Sequence, residues 1–261
     1  MTKYLAIVAL LTATAHGESW HEGKYGKNRV THVVITVGSG AAFALSETVL
    51  KPSFASLTCR WCVPDSLDAS VRNDVVWQHP STAVLLSNIE GYAVAPAFAI
   101  GMTLAGTLTS HDTSTGAILD DLVPVLETAG LAQMLVQPVK FAVARARPYA
   151  YYTPPAKAGL DDNVSFFSGH STLVFSVATS AGLIAHKRHY WTEPYIWIGG
   201  YALAASTAYL RMAGDKHYLT DVLTGSVVGV AAGLTVPLMM DRSRTIEITP
   251  TANGMAIAGV F

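Results

Sequence analysis

The sequence has little charge and almost no cysteine. Only 13% of the 261 residues are charged, and 17 basic side chains nearly balance 18 acidic ones. No overall field therefore favours nucleic acid as a partner, and any anion must be bound by a local site. The chain also lacks repeats, low-complexity tracts and linker-like stretches. Because its length suits one substantial core better than two catalytic domains, we expect a single domain.

The two cysteines, Cys59 and Cys62, lie in the segment Cys59-Arg60-Trp61-Cys62. A zinc site would need two further ligands from elsewhere in the chain. A redox role would need a thioredoxin-like strand and helix around the pair, which the sequence does not show. An oxidising compartment lets so close a pair form a disulfide, and this is the interpretation that we favour.

The N-terminus has the pattern of a secretory signal. Lys3 supplies a positive charge, residues 4–11 are apolar, and Ala13-Thr14-Ala15 offers small residues for cleavage. The apolar run is too short to span a membrane, which takes about 20 residues. We therefore expect residues 1–15 to be a signal peptide and the mature chain to begin at His16.

Apolar residues are abundant, at 51% of the chain with a mean hydropathy of +0.35. They occur in long stretches rich in alanine, leucine and glycine, separated by turn formers, which is typical of helices. The segments are 30–50, 83–108, 117–145, 171–186, 194–210 and 221–240. We predict an all-α bundle of about six helices within residues 16–244. The alternation in 245–261 around Ala252-Asn253-Gly254 predicts a short C-terminal β-hairpin.

The relation of these helices to a membrane is open at this point. Several are long and apolar enough to span, but polar residues lie in or beside them, and these are costly in hydrocarbon unless they face a bundle interior. They are Glu47, Asn88, Glu90, Asp120, Asp121, Glu127, Gln133 and Gln137. After a cleaved signal, six spans would place residues 141–170 and 211–221 in the cytoplasm, which conflicts with export. We therefore expect an exported periplasmic or envelope-associated protein of globular form, with an integral membrane form as the alternative.

Two basic residues precede a proline after the third apolar segment. Lys140 and Arg147 are seven residues apart, which on one helix would place them on nearly the same face. Pro148 would end that helix and leave Arg147 at the mouth of a loop, where its guanidinium could bind a phosphate. A solvated or membrane-interface helix end would show the same residues.

The segment Ser168-Gly169-His170 comes directly before an apolar helical stretch. Free backbone N–H groups at a helix N-terminus bind anions, the glycine allows close approach, and the histidine can exchange a proton. An ordinary serine cap followed by a histidine is the alternative.

A third segment contains Arg211, His217 and Asp221. The last two are four residues apart, so in helical geometry the carboxylate could reach the imidazole and fix its tautomer. The alternative is an ordinary helical ion pair.

In order, the chain reads Lys140-x6-Arg147-Pro148, Ser168-Gly169-His170 and Arg211-x5-His217-x3-Asp221. This combination resembles the type 2 phosphatidic acid phosphatase (PAP2) superfamily, which includes bacterial class A acid phosphatases and vanadium haloperoxidases. Phe167 stands where the family commonly has proline, and Leu210 where it commonly has serine. The resemblance covers residues 140–221 directly and implies a PAP2-type helical bundle for most of the chain.

The resemblance also implies a role for each motif residue. His217 would attack phosphorus to form a phosphohistidine, Asp221 would orient it, and His170 would protonate the leaving oxygen and later activate water. Phosphate would be bound by Lys140, Arg147 and Arg211, with the backbone around Ser168 and Gly169. No metal and no cofactor is needed in this mechanism. We interpret Arg145 as a solvated charge at a helix end rather than as a further cation of the pocket.

These residues predict a metal-independent phosphatase for phosphate monoesters or diphosphates. Its substrate would be a lipid phosphate, a polyprenyl diphosphate or a small soluble ester. The apolar helices and Phe166-Phe167 favour a lipid and membrane association. A vanadate-dependent haloperoxidase and a non-catalytic envelope protein that retains the fold are the alternatives.

Overall fold

A computed structural model describes residues 29–240 with their side chains, and the backbone of 246–251 and 254–259. Eight helices lie within residues 29–240. They are α1 (Arg29–Phe54), α2 (Ser66–Val75), α3 (Pro80–Leu108), α4 (Thr115–Val143), α5 (Pro148–Tyr152), α6 (Gly169–Arg188), α7 (residues 193–213) and α8 (Leu219–Met240). Two strands, β1 (Ile246–Thr251) and β2 (Gly254–Gly259), pair antiparallel with Thr251 opposite Gly254.

The all-α fold is confirmed, and each of the six predicted segments falls on one of the six long helices. Side-chain caps mark several helix starts: Asp65 accepts from the Asp68 amide before α2, and Ser114 from the Ala117 amide before α4. The sequence did not predict α2 and α5, because one is polar and the other has only five residues. The predicted signal peptide and the turn residues Ala252 and Asn253 lie outside the described residues.

Glycines bring the starts of α6 and α8 together. Gly225, Gly229 and Gly233 of α8 face α6 so closely that a Cβ at each would approach an atom of α6 within 2.5 Å. At Gly225 that atom is the carbonyl oxygen of Ser168, the residue that caps α6. The same close packing allows the Ser168 amide to donate to the Asp221 carbonyl at 3.0 Å. Two of the three predicted motifs therefore meet where these helices begin.

One end of the bundle carries the predicted functional residues, and we call it the site end. Here Lys140 and Arg211 lie in the last turns of α4 and α7, while α6 and α8 begin. At the opposite end, Arg29 at the start of α1 donates to the Asp120 carboxylate at 2.7 and 2.9 Å. Successive long helices therefore alternate in direction between the two ends.

The outer surface of the bundle is apolar. Four helices, α1, α3, α4 and α8, are long and apolar enough to cross a membrane. Large apolar side chains on their outer faces are exposed, as at Val34, Leu135, Val227 and Met239. Apolar surface of this extent fits contact with hydrocarbon, so the protein is membrane-associated. This apolar surface does not support the globular form that we expect from the sequence. It supports the alternative, an integral membrane form.

Five of the eight polar residues that argue against a membrane span are buried: Asp120, Asp121, Glu127, Gln133 and Gln137. Asn88, Gln133 and Gln137 line a cavity at the site end. At the opposite end, Asp121 accepts from Arg188, and Glu127 lies 3.0 Å from Nδ1 of His32. These pairings remove the cost that isolated polar groups would have in hydrocarbon.

Candidate active site

A cavity of about 320 Å³ lies at the site end. It brings together six of the eight residues predicted to bind or transform phosphate: Lys140, Arg147, Gly169, His170, Arg211 and His217. The other two, Ser168 and Asp221, are fully buried behind this lining.

Arg147 reaches the cavity from a loop and not from a helix. The prediction that Lys140 and Arg147 share a helix is wrong, because α4 ends at Val143 and Ala144 takes a left-handed conformation with φ 46°. Arg147 instead precedes α5. Its Nε donates to the Asp161 carbonyl at 2.7 Å and its Nη1 to the Lys216 carbonyl at 2.9 Å. These two bonds fix the guanidinium in the wall of the cavity.

The start of α6 forms a small seat beside Lys140. Ser168 caps the helix, since its Oγ accepts from the amide of Ser171 at 3.3 Å. A Cβ at Gly169 would lie 3.9 Å from Nζ of Lys140 and 3.3 Å from Val136. The glycine therefore keeps the helix N-terminus open next to an ammonium group, an arrangement that suits an anion.

His217 lies just before α8, so the prediction of a His217–Asp221 pair within a helix is wrong in its local geometry. The two side chains still meet, because Nδ1 of His217 is 3.6 Å from Oδ2 of Asp221. Nδ1 forms no hydrogen bond of good geometry with residues 29–240, and the backbone of Ser165 also interacts with the ring. The Asp221 carboxylate accepts from Ser165 Oγ at 2.6 Å and from the Tyr218 amide at 2.9 Å. It is thus held rigidly beside the imidazole.

The surroundings keep His217 neutral. Burial lowers the pKa of its imidazole well below the usual value, and the positive charges of Arg147, Arg211 and Lys140 lower it further. A neutral imidazole has a free lone pair, which a nucleophile needs.

His170 is held by two residues of α3. Its Nε2 lies 2.9 Å from Oδ1 of Asn88, and the Tyr92 ring is 4.3 Å from its own between centroids. Burial lowers the pKa of His170, with Arg211 as the next cause. The sequence did not assign Asn88 to the site, although a polar residue in an apolar helix was a signal. Asn88 also accepts from Nη1 of Arg211 at 3.2 Å, so it connects His170 to a cation.

The positive charge of the cavity is not neutralised. Neither Lys140, Arg147 nor Arg211 forms an ion pair within the described part of the chain. The two carboxylates of the lining, Glu47 and Asp161, are paired with Lys51 at 3.1 and 2.6 Å. Buried cations without counter-charges favour a bound anion. Among residues 29–240, no group of three or more His, Cys, Asp and Glu side chains is placed to hold a metal.

The interpretation of Arg145 as a solvated charge at a helix end is wrong. It is 1% exposed and does not line the cavity. Its guanidinium donates to Asp221 at 2.6 Å and to Asp68 of α2 at 2.5 Å. The residue is therefore buried and supports the Asp221 carboxylate beside His217.

The Cys59 and Cys62 sulfurs are joined in a disulfide. The loop that they close lies at the site end, where the Arg60 amide donates to the Ala144 carbonyl at 2.9 Å and the Ala146 amide to the Trp61 carbonyl at 3.0 Å. The disulfide loop is thus attached to the segment that carries Arg145 and Arg147.

Comparison with known proteins agrees with this arrangement. Residues 121–245 match the model of the PAP2 superfamily, and this range contains all three motifs. The chain is 30% identical over 111 residues to a lipid A 1-phosphatase of Porphyromonas gingivalis (strain ATCC 33277); the match covers 42% of this chain and 22% of that protein. A solved structure that is similar to this chain is the transmembrane PAP2-type phosphatidylglycerolphosphate phosphatase from Bacillus subtilis. The identity is 19% and the TM-score is 0.47, and the match covers 78% of this chain and 93% of that one.

The matched segment, residues 121–245, is similar to the PAP2 superfamily, and the order and spacing of the motifs within it agree with that similarity. The chain spans about a fifth of the length of the lipid A 1-phosphatase that it matches.

Proposed function

We propose that this protein is a membrane-associated phosphatase that hydrolyses phosphate monoesters or diphosphates of lipids without a metal, through a phosphohistidine. One observation carries the proposal: three buried cations without counter-charges surround two neutral histidines in one cavity. Such a set can bind a phosphoryl group, attack it and protonate its leaving group.

The positions of the side chains support the following chemistry. Nε2 of His217 attacks phosphorus and forms the P–N bond as the P–O bond to the leaving group breaks. Lys140, Arg147 and Arg211 stabilise the charge on the phosphoryl oxygens, and Asp221 stabilises the imidazole ring as it becomes positive. Water then attacks the phosphohistidine, gives up a proton to a base, and releases phosphate and the free imidazole.

His170 supplies the proton to the leaving oxygen and accepts one from water in the second step. Burial and nearby cations lower the pKa of His170. A bound phosphate dianion offsets those cations, and the pKa of His170 should then rise so that the ring carries a proton. The substrate itself thereby prepares the general acid.

A lipid is the substrate class that the surroundings favour. Apolar or aromatic side chains line part of the cavity, at Phe43, Val84 and Tyr92, and belong to helices that are apolar enough to span a membrane. The similarity to a lipid A 1-phosphatase supports the same class.

The disulfide indicates which side of the membrane the site faces. Disulfides persist in oxidising compartments, and the Cys59–Cys62 loop lies at the site end. We propose that the site end faces the periplasm or the cell exterior. The start of α1 would then face the cytoplasm, which is at odds with cleavage of residues 1–15 as a signal peptide.

A substrate panel in detergent, with a chelator present, tests the function. The protein should release phosphate from lipid phosphates or polyprenyl diphosphate faster than from small esters, and vanadate should inhibit it. Loss of all activity on chelation would contradict the metal-independent mechanism. Bromide oxidation after vanadate loading would instead support a haloperoxidase.

A further inference from the structure

Asp221 shares its support with a second buried carboxylate. Arg145 lies between Asp221 and Asp68, and donates to the first from Nη1 at 2.6 Å and to the second from Nη2 at 2.5 Å. Arg145 is 1% exposed, and the two carboxylates are fully buried. One guanidinium therefore connects α2 to the carboxylate that orients His217.

The start of α8 closes this arrangement. Asp68 accepts from the Thr220 amide at 2.9 Å and from Thr220 Oγ1 at 2.6 Å, while the same hydroxyl accepts from Arg145 at 2.8 Å. Every partner is fixed by at least two bonds. The position of Asp221 in the first turn of α8 is therefore determined from α2 as well as from its own helix.

Aromatic rings enclose the guanidinium on two sides. The Arg145 Cζ atom lies 3.8 Å from the centroid of a Trp61 ring and 4.4 Å from that of Tyr218. Trp61 sits in the loop closed by Cys59 and Cys62. The loop therefore excludes water from one face of Arg145, and this strengthens its bonds to the two carboxylates.

Asp68 also affects the charge beside His217, in addition to the position of Asp221. Two carboxylates and one guanidinium leave a net negative charge behind His217, while the cavity side is positive. Without Asp68, Arg145 would neutralise Asp221 and leave little negative charge to stabilise a positive imidazole. Asp68 thus preserves the charge of Asp221 as well as its position.

We propose that Asp68 and Arg145 are positioning residues for the reaction of His217, acting through Asp221. The proposal rests on the proposed phosphatase function. Asp68 lies in α2, outside the segment 121–245 that matches the superfamily model and outside the three motifs.

The test compares Asp68→Asn and Arg145→Lys with Asp120→Asn as a control. Asp120 is also buried and accepts two bonds from an arginine, Arg29, but at the opposite end of the bundle. We expect the two test variants to lose kcat by about tenfold to a hundredfold, the range typical of outer-shell partners, with KM nearly unchanged. The control should keep the wild-type kcat.

The pH dependence of kcat/KM distinguishes a positioning role of Asp68 from a simple loss of folded protein. In Asp68→Asn the uncompensated Arg145 charge should lower the pKa of His217 and shift the acid limb of kcat/KM to lower pH. The pH at the midpoint of this acid limb does not depend on the fraction of the protein that is folded. The other charged or titratable groups of the cavity, which stay in place, are Glu47, Lys51, Tyr92, Lys140, Arg147, Asp161, His170, Arg211 and Lys216, with Asp221 beside His217.

The double variant Asp68→Asn/Arg145→Met, compared with Asp68→Asn alone, tests the effect of the Arg145 charge. Because it removes both charges, its acid limb should return toward that of the wild type although kcat stays low. Test variants with the kcat and acid limb of the control would overturn the proposal. A wild-type protein that released no phosphate from any substrate would instead contradict the proposed function.

Discussion

Nη1 of Arg147 lies 3.2 Å from Nε2 of His217. An arginine can only donate, so Nε2 must be the unprotonated nitrogen and Nδ1 carries the proton toward Asp221. This is the tautomer in which Nε2 can attack phosphorus. The same guanidinium that fixes the tautomer lines the cavity and is also placed to bind the phosphoryl group.

The pH dependence should reflect the buried state of His217. Its pKa is lowered by burial and then by Arg147, Arg211 and Lys140, so the ring of the free enzyme is neutral at neutral pH. The attacking form is lost only when the pH falls through this lowered pKa, below the ordinary value of about 6.5. We expect kcat/KM to show its acid limb below that value; a limb centred above about 7 would contradict the assignment.

Gly169→Ala should impair phosphate binding. The new Cβ would lie 3.3 Å from Val136, 3.4 Å from Gln133 and 3.9 Å from Nζ of Lys140, in the seat at the start of α6. We expect KM and the vanadate inhibition constant to rise by about tenfold, equivalent to the loss of one charge-assisted hydrogen bond. Gly101→Ala is the matched control, because nothing lies within 4 Å of its Cβ. Equal effects of both substitutions would argue against an anion seat.

Lys216→Ala should affect substrates with two phosphates most. Lys216 lines the cavity without an ion pair in residues 29–240, and its Nζ rests 4.3 Å from the Tyr149 ring centroid. A cation beside the phosphoryl site can contact a second anionic group. We expect KM for a diphosphate to rise more than KM for a monophosphate, whereas Lys157→Ala on the exposed surface should change neither. Equal increases for both substrates would show that Lys216 makes no contact with a second phosphate.

The sequence predicted which residues meet but not how they are held. Motif order identified His170, Arg211 and His217 correctly as neighbours in one cavity, because the spacing of motifs is a local property that a sequence displays. The end of α4 could not be predicted, since Ala144 takes a left-handed turn without the usual glycine. The burial of Arg145 depends on Asp68, 77 residues away. Such a partner is supplied by tertiary packing, which periodicity and motifs do not reveal.

The sequence predicts the role of Asn88 only in part. Its position in an apolar helix indicated an interior role, but only the structure places it against His170 and Arg211. We expect Asn88→Ala to lower kcat, since it frees the His170 ring and removes an acceptor of Arg211. Asn88→Asp, which keeps the acceptor oxygen, should retain more activity. The kcat values of the two variants at saturating substrate decide this, and equal values would show that the acceptor has no role.

The most direct test of the account is the covalent intermediate. Rapid quenching during turnover of a radiolabelled substrate should yield protein-bound label that is labile in acid and stable in base, as expected for phosphohistidine. His170→Ala should increase this label if the substrate has a good leaving group, because water attack is slowed, and His217→Ala should abolish both label and turnover. Label that persists in His217→Ala, or label that is stable in acid, would contradict histidine chemistry at this site.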